Sequence, residues 1–247
     1  MELNNIIPNY SDIEDKRVVL LQSGGLDSNI IACILKYYGF EIHHIFVNYG
    51  QNMVDKEREY SKKIAEYYGG ENYTYSEVDI TLPWLNDTTN LVDHEVTDYE
   101  AEGELNANLS GSYVPLRNHI LLSIAGSYAE AYKIPYIACA FDGSEDFYGR
   151  PLGGTTDKHP TFVDAIENSI CEGSAYKHID NKFFTILTPV MDLCKDEIIK
   201  LGLHFHADMS ISWSCYNKAN KPCGKCSACA TREEAFRRVG IEDPSLN

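Results

Sequence analysis

The chain alternates short apolar runs with longer stretches in which apolar residues recur every three or four positions. Residues 16–22 form a β-branched, nearly continuous apolar run that reads as a buried strand. Ile30, Ile31, Ile34 and Leu35 then mark one face of a helix. Residues 41–47 predict a second strand that ends at Asn48-Tyr49-Gly50-Gln51, where the glycine marks a turn, so His43 and His44 are strand residues rather than ligands. A charged amphipathic helix over 53–68 closes at Gly69-Gly70, and 73–78 alternates like a third strand. Helix 117–133 carries Ile120, Leu121, Ile124, Tyr128 and Ala131 on one face, and a strand over 136–141 follows. Another helix opens at Pro160 or Thr161 and runs to Cys171, and 183–187 is the last core strand. Strands alternating with helices at this spacing predict an α/β fold: a doubly wound, mostly parallel sheet with ligands at the carboxyl ends of the strands. Two segments break the rhythm. The acidic stretch 86–111 and the glycine-rich stretch 142–161 lack periodicity, and the second falls where an active-site loop belongs.

Length fits one such domain, over 1–205, with a small C-terminal segment, 206–247. No apolar run approaches the ~20 residues of a membrane span, and the polar, acidic start is unlike a signal peptide. These features predict a cytoplasmic protein. A formal charge of −16 argues against a broad nucleic-acid surface and favours a small-molecule substrate, or else a protein. Of eight cysteines, Cys33, Cys139, Cys171 and Cys194 are scattered singly and read as inert core thiols. The other four crowd together near the C-terminus, which without a secretory signal points to a metal rather than to disulfides.

Two stretches carry chemistry. Leu20-Leu21-Gln22-Ser23-Gly24-Gly25-Leu26-Asp27-Ser28 is a strand, a glycine turn and a helix start, with Asp27 and Ser28 suited to the cap and first turn. Such an arrangement aims bare N–H groups at one point and predicts a phosphate site, although no Walker A pattern occurs in the chain. Cys215, Cys223, Cys226 and Cys229 have the spacing of a tetrahedral, structural Zn²⁺ site with turns at Gly224 and Ser227. An iron–sulfur cluster is the alternative.

Ser23 to Ser28 resembles the SGGxDS loop of the PP-loop ATP pyrophosphatases, an adenine nucleotide alpha hydrolase-like fold whose members cleave ATP to AMP. Trp213-Ser214-Cys215-Tyr216-Asn217, the cysteine run and Arg232 resemble the tail of one of its families, the QueC 7-cyano-7-deazaguanine synthases. Tyr49-Gly50-Gln51, Val114-Pro115-Leu116-Arg117-Asn118, Glu145-Asp146-Phe147, and Thr188-Pro189 with Lys195 and Glu197 resemble further motifs of that family. The resemblance spans about residues 17–238. It implies an AMP-forming ligase that adenylates 7-carboxy-7-deazaguanine and amidates it with ammonia. A second ATP then dehydrates the amide to the nitrile.

Residue by residue, the resemblance implies ATP-binding by Ser23, Gly24, Gly25, Leu26, Asp27, Ser28, Tyr49 and Gln51. Asp27 would hold Mg²⁺, and Lys195 and Arg117 would neutralise charge at the α-phosphoryl group. Arg117, Asn118, Asp146, Phe147, Asp157 and Phe162 would contact the deazapurine. The chain departs from the family where Lys158, His159 and Thr161 stand in place of Cys, Arg and Glu, after an apparent insertion at 150–156. QueC-like enzymes of antiphage operons join a deazaguanine to a partner protein's N-terminal amine, so the altered segment leaves two acceptors open: ammonia or a protein. A tRNA sulfur-transferase and a catalytically dead nucleotide sensor are the readings from other classes; the acidic charge and the intact Ser23–Ser28 loop argue against them. A homodimer is expected, with the cysteine tail or acidic loop at its contact.

Overall fold

Val18, Val19 and Leu20 of strand β1 (Arg17–Leu21) have no exposed surface, because helices cover both faces of the sheet they belong to. Burial on two sides is why the strand shows a continuous apolar run rather than alternation. The computed structural model describes residues 6–89, 91–92, 113–143, 156–218 and 220–246. Most of segment 86–111, the family-like Glu145-Asp146-Phe147 and nearly all of the apparent insertion therefore lie outside the described residues.

Strands β1, β2 (Glu41–Asn48), β3 (Thr74–Asp79), β4 (Tyr136–Ala138) and β5 (Thr185–Leu187) pair in parallel, in the order β3-β2-β1-β4-β5. Side chains alternate between two cores. Val18 and Leu20 point into one core with helices α1 (Leu26–Tyr37), α2 (Val54–Gly69), α6 (Lys195–His204) and α7 (Ser227–Val239). Val19 points into the other with α3 (Arg117–Tyr132) and α4 (Pro160–Gly173). A short helix, α5 (Ala175–Asp180), leads from α4 towards β5. The strand order reverses between β1 and β4, and a doubly wound sheet opens its crevice at that point. None of the helices is long and apolar enough to cross a membrane, among the described residues.

The predicted strands and the helices α1 to α4 are present. Gly70, with φ of 64°, ends α2 as expected, and Pro160 is the first residue of α4. Three local expectations are corrected. Gly25, with extended backbone, is the residue that caps α1, and its neighbours Asp27 and Ser28 lie inside the first turn. Ser227 makes no turn but begins α7, whereas Gly224 does turn, with φ of 69°. The strand over 136–141 stops pairing at Ala138.

Met209 and helix α7 pack against the first core, while Trp213, Cys215, Cys226 and Cys229 form a separate small cluster with Met53. Ala235 and Phe236 of α7 lie within that first core, and Asn29 of α1 donates to the carbonyl of Asp208 (2.8 Å). Arg232 is buried, with donors on Asp243 (2.6 and 2.9 Å), Ser212 and Ser214 (both 3.0 Å) and the Met209 carbonyl (3.2 Å). A guanidinium satisfied this fully ties the last helix to the chain leading into it.

Candidate active site and metal centre

The turn after β1 is pinned from two sides. Gly24 has φ of 79°, and a Cβ there would come within 2.5 Å of the Glu57 carbonyl oxygen and 2.9 Å of the Ser61 nitrogen on α2. The Gly24 carbonyl accepts the Trp213 N–H at 2.9 Å. Only glycine combines this backbone with this approach. Gly24→Ala is therefore expected to cost more than about 2 kcal/mol, from an unfavourable φ plus a backbone clash. Thermal unfolding checks this, and an unchanged midpoint would contradict the packing described.

Beneath the loop runs a buried polar chain. His44 Nδ1 lies 3.2 Å from Gln22 Oε1, Gln22 Nε2 donates to Ser28 Oγ (2.8 Å), and Ser28 Oγ donates to the Gly25 carbonyl (3.0 Å). Burial, with His43 beside it, pushes His44 down to about 3, so it is neutral at pH 7. Ser28 is thus engaged in shaping the loop from below. Ser23, 3.2 Å from it, lines the open side, and Leu26 packs into the core. The first-turn amides of α1 have no intrahelical acceptor and carry the positive end of the helix dipole.

At the crevice four charges form a ladder. Lys195 Nζ lies 2.5 Å from Asp27 Oδ2 and 2.9 Å from Asp142 Oδ2; Lys158 Nζ lies 2.6 Å from Asp142 Oδ1. Burial alone would raise the Asp142 carboxyl, but Lys195 and Lys158 hold it well below the usual carboxylate range. Burial would likewise lower Lys195, yet Asp142 and Asp27 raise it above an ordinary lysine. Lys195 is therefore a fixed cation beside the glycine loop. Asp27 keeps its other oxygen, Oδ1, buried and, among the described residues, without a hydrogen-bond partner. An orphaned carboxylate oxygen beside a glycine loop and helix start fits a divalent cation.

The ladder borders a cavity of about 300 Å³, lined also by Ser23, Phe46, Tyr49, Gln51, Glu57, Arg117, Asn118 and Tyr216. Gln51 organises one wall: its Oε1 accepts from the Tyr49 N–H (2.9 Å), and its Nε2 donates to the Val47 carbonyl (3.1 Å) and Glu57 Oε2 (3.0 Å). Burial raises the Glu57 carboxyl, against the opposing pull of Gln51 and Arg117. Arg117 starts α3 and donates to the Tyr49 hydroxyl (3.5 Å) and to Asn118 Oδ1 (3.4 Å). Asn118 donates to the Asp157 carbonyl (3.1 Å). Phe162 lies behind this wall, its ring 6.5 Å from that of Phe141, which lines the cavity.

Ser23, Asp27, Tyr49, Gln51, Arg117 and Asn118 thus meet in one cavity, with Lys195 joined to it through Asp27. Asp157 and Phe162 support the wall, while Asp146 and Phe147 lie outside the described residues. The sequence reading missed Asp142, Glu57 and Gln22. Glu57 sits among the charges of α2, where it looks like one more solvated acid.

The four C-terminal cysteines converge, with all four Sγ atoms within 4.8 Å of one another and no disulfide between them. Backbone N–H groups of Asn217 and Cys223 point at Cys215 Sγ (3.4 and 3.3 Å), and those of Lys225 and Cys226 at Cys223 Sγ (both 3.4 Å). Amides aimed at sulfur suit thiolates, so the donor set fits a tetrahedral metal such as Zn²⁺. Cys194 stands apart as the cap of α6. Burial and the carboxylates of Asp196 and Glu197 push its thiol up to about 12.

A family model described as "Queuosine biosynthesis protein QueC" matches residues 17–240. The 7-cyano-7-deazaguanine synthase of Methanospirillum hungatei is 35% identical over 230 residues, covering 92% of this chain and 98% of the relative. That of Chlorobaculum parvum is 36% identical over 231 residues, covering 92% and 95%. Among solved structures, the U34-tRNA thiolase NcsA from Methanococcus maripaludis with its [4Fe-4S] cluster is 16% identical, with a TM-score of 0.48 and coverage of 96% of this chain and 70% of that one.

Proposed function

The chain belongs to the QueC family, and from that premise we propose that it is an ATP-dependent, AMP-forming ligase acting on 7-carboxy-7-deazaguanine. A carboxylate oxygen of the acid displaces pyrophosphate from the α-phosphorus of ATP, breaking the α–β bond and giving an acyl-adenylate. Ammonia adds to the acyl carbon, AMP leaves with the C–O electron pair, and a proton passes to solvent. The amide oxygen then displaces pyrophosphate from the α-phosphorus of a second ATP, and loss of the two amide N–H protons with departure of AMP leaves the nitrile, 7-cyano-7-deazaguanine.

The observation that carries this reading is the ladder at the mouth of the glycine loop. Lys195, locked in its charged form by Asp27 and Asp142, is a preorganised cation for charge developing on the α-phosphoryl group. Loop amides and Ser23 hold the departing pyrophosphate. Arg117 and Lys158 add cations on the wall of the adjoining cavity. Mg²⁺, when bound, would neutralise phosphate oxygens, and Asp27 is the residue that would hold it. The cysteine site would hold Zn²⁺ in a structural role, since four protein ligands leave no open position.

The test is incubation with ATP, Mg²⁺, 7-carboxy-7-deazaguanine and ammonium. Two AMP per nitrile are expected. Release of ADP alone, or no nucleotide turnover with any amine, would overturn the ligase reading. Mass spectrometry separates the acceptors. An amide that accumulates without nitrile, with a deazaguanine-sized mass on a co-expressed partner's N-terminus, would replace ammonia by a protein amine.

A further inference from the structure

The cavity wall holds two charged groups that the ladder does not use. Glu57 and Arg117 both line it, and among the described residues neither has an ion-pair partner. Glu57 is also held firmly. Its carbonyl abuts Gly24, its N–H donates to Met53 (2.8 Å), and its Oε2 accepts from Gln51 Nε2 (3.0 Å). No described donor reaches its other oxygen, Oε1. A carboxylate fixed at a set distance from a phosphate loop cannot serve the phosphates, because like charges repel. It needs donors.

Resting on the ligase reading above, we infer that Glu57 is the residue that selects the substrate base, accepting hydrogen bonds from the ring N1–H and the 2-amino group of the deazaguanine. The chemistry separates this base from the adenine of ATP. A guanine-type edge presents two adjacent donors, which match the two lone-pair positions of a carboxylate. Adenine presents one amino group beside an acceptor nitrogen, which would face the carboxylate unfavourably. Arg117, in the same cavity, is the complementary group for the acid's anionic end. An anion and a cation in one cavity that, among the described residues, form no ion pair thus match a ligand with a donor edge and a carboxylate. Gln51 is the positioning residue that fixes the Glu57 side chain from behind.

Calorimetry on the full metal-loaded protein tests this without relying on turnover. Glu57→Gln is expected to weaken binding of 7-carboxy-7-deazaguanine by about 10- to 100-fold, the loss for hydrogen bonds to a charged acceptor, and to leave ATP affinity within about twofold. The analogue lacking the 2-amino group should bind wild-type protein correspondingly more weakly, and Glu57→Gln should discriminate little between analogue and acid. A well-folded variant that binds both acids as wild type does, or that loses ATP instead, would overturn the assignment. If the variant fails to fold, the analogue decides on wild type alone: equal binding of analogue and acid rejects Glu57. A wild type that binds the acid but forms no AMP sinks the ligase reading and leaves Glu57 standing. One that binds ATP but not the acid removes both.

Discussion

Asp27→Asn is expected to cut AMP formation by about 10³-fold while leaving the fold intact. Asp27 stands in the first turn of α1 with one oxygen on Lys195 and the other buried with no partner among the described residues. Asparagine keeps the shape and still offers an amide oxygen to Lys195. It removes the negative charge that a divalent ion at the phosphates requires. Lys195 does not become an orphan, because Asp142 remains 2.9 Å away. Stability should therefore change by only about 1 kcal/mol, as for a charge pair that keeps one of two partners. The measurement pairs AMP release with a thermal melt. A variant within tenfold of wild type would remove Asp27 from the chemistry. A variant that melts far below wild type would instead make Asp27 chiefly structural.

Stripping metal from the cysteine site should lower the thermal midpoint by more than about 10 °C, and Cys226→Ser should act in the same direction. Binding of Zn²⁺ by four thiolates supplies about 10–16 kcal/mol of apparent free energy in small domains, comparable with the whole stability of a protein this size. Here the four cysteines are also the centre of a small core with Met53 and Trp213. Without the cation the four sulfurs lose the bonds that join them, so the apo segment is expected to loosen. Loosening releases Trp213, whose backbone holds the glycine loop, and Tyr216, which lines the cavity. Nucleotide binding should consequently fall along with the melting temperature. Metal analysis is expected to give one Zn per chain and no visible iron–sulfur absorbance. A midpoint unchanged after verified removal of the metal would exclude a structural role.

Legibility in the sequence followed how local each feature is. Strand β1, the Gly24-Gly25 turn and α1 were readable because a run buried on both faces and a glycine turn leave marks within ten residues. The converging cysteines were readable from their spacing alone. Helices α6 and α7 were missed for identifiable reasons. Helix α6 is short and begins at Cys194, an uncommon cap, with Glu197 closing its capping box. Helix α7 starts inside the cysteine cluster, where Ser227 looked like a metal-site turn. Asp142 left no mark because its value to the site comes from Lys195, far along the chain, through the reversal between β1 and β4. Glu57 was hidden by company: on a helix with many charges, only the fold tells which one turns towards a cavity.

The hydrogen bond from Trp213 to Gly24 also bears on how the protein is made. The loop emerges early in synthesis, but the residue that clamps it, Trp213, follows far along the chain. Domains fold from the N-terminus as they leave the ribosome, and contacts this distant in sequence close last. A nascent chain therefore carries its glycine loop without the clamp until Trp213 has emerged. A fragment that ends before Trp213 is expected to leave the Gly24 carbonyl without this partner and the loop unclamped.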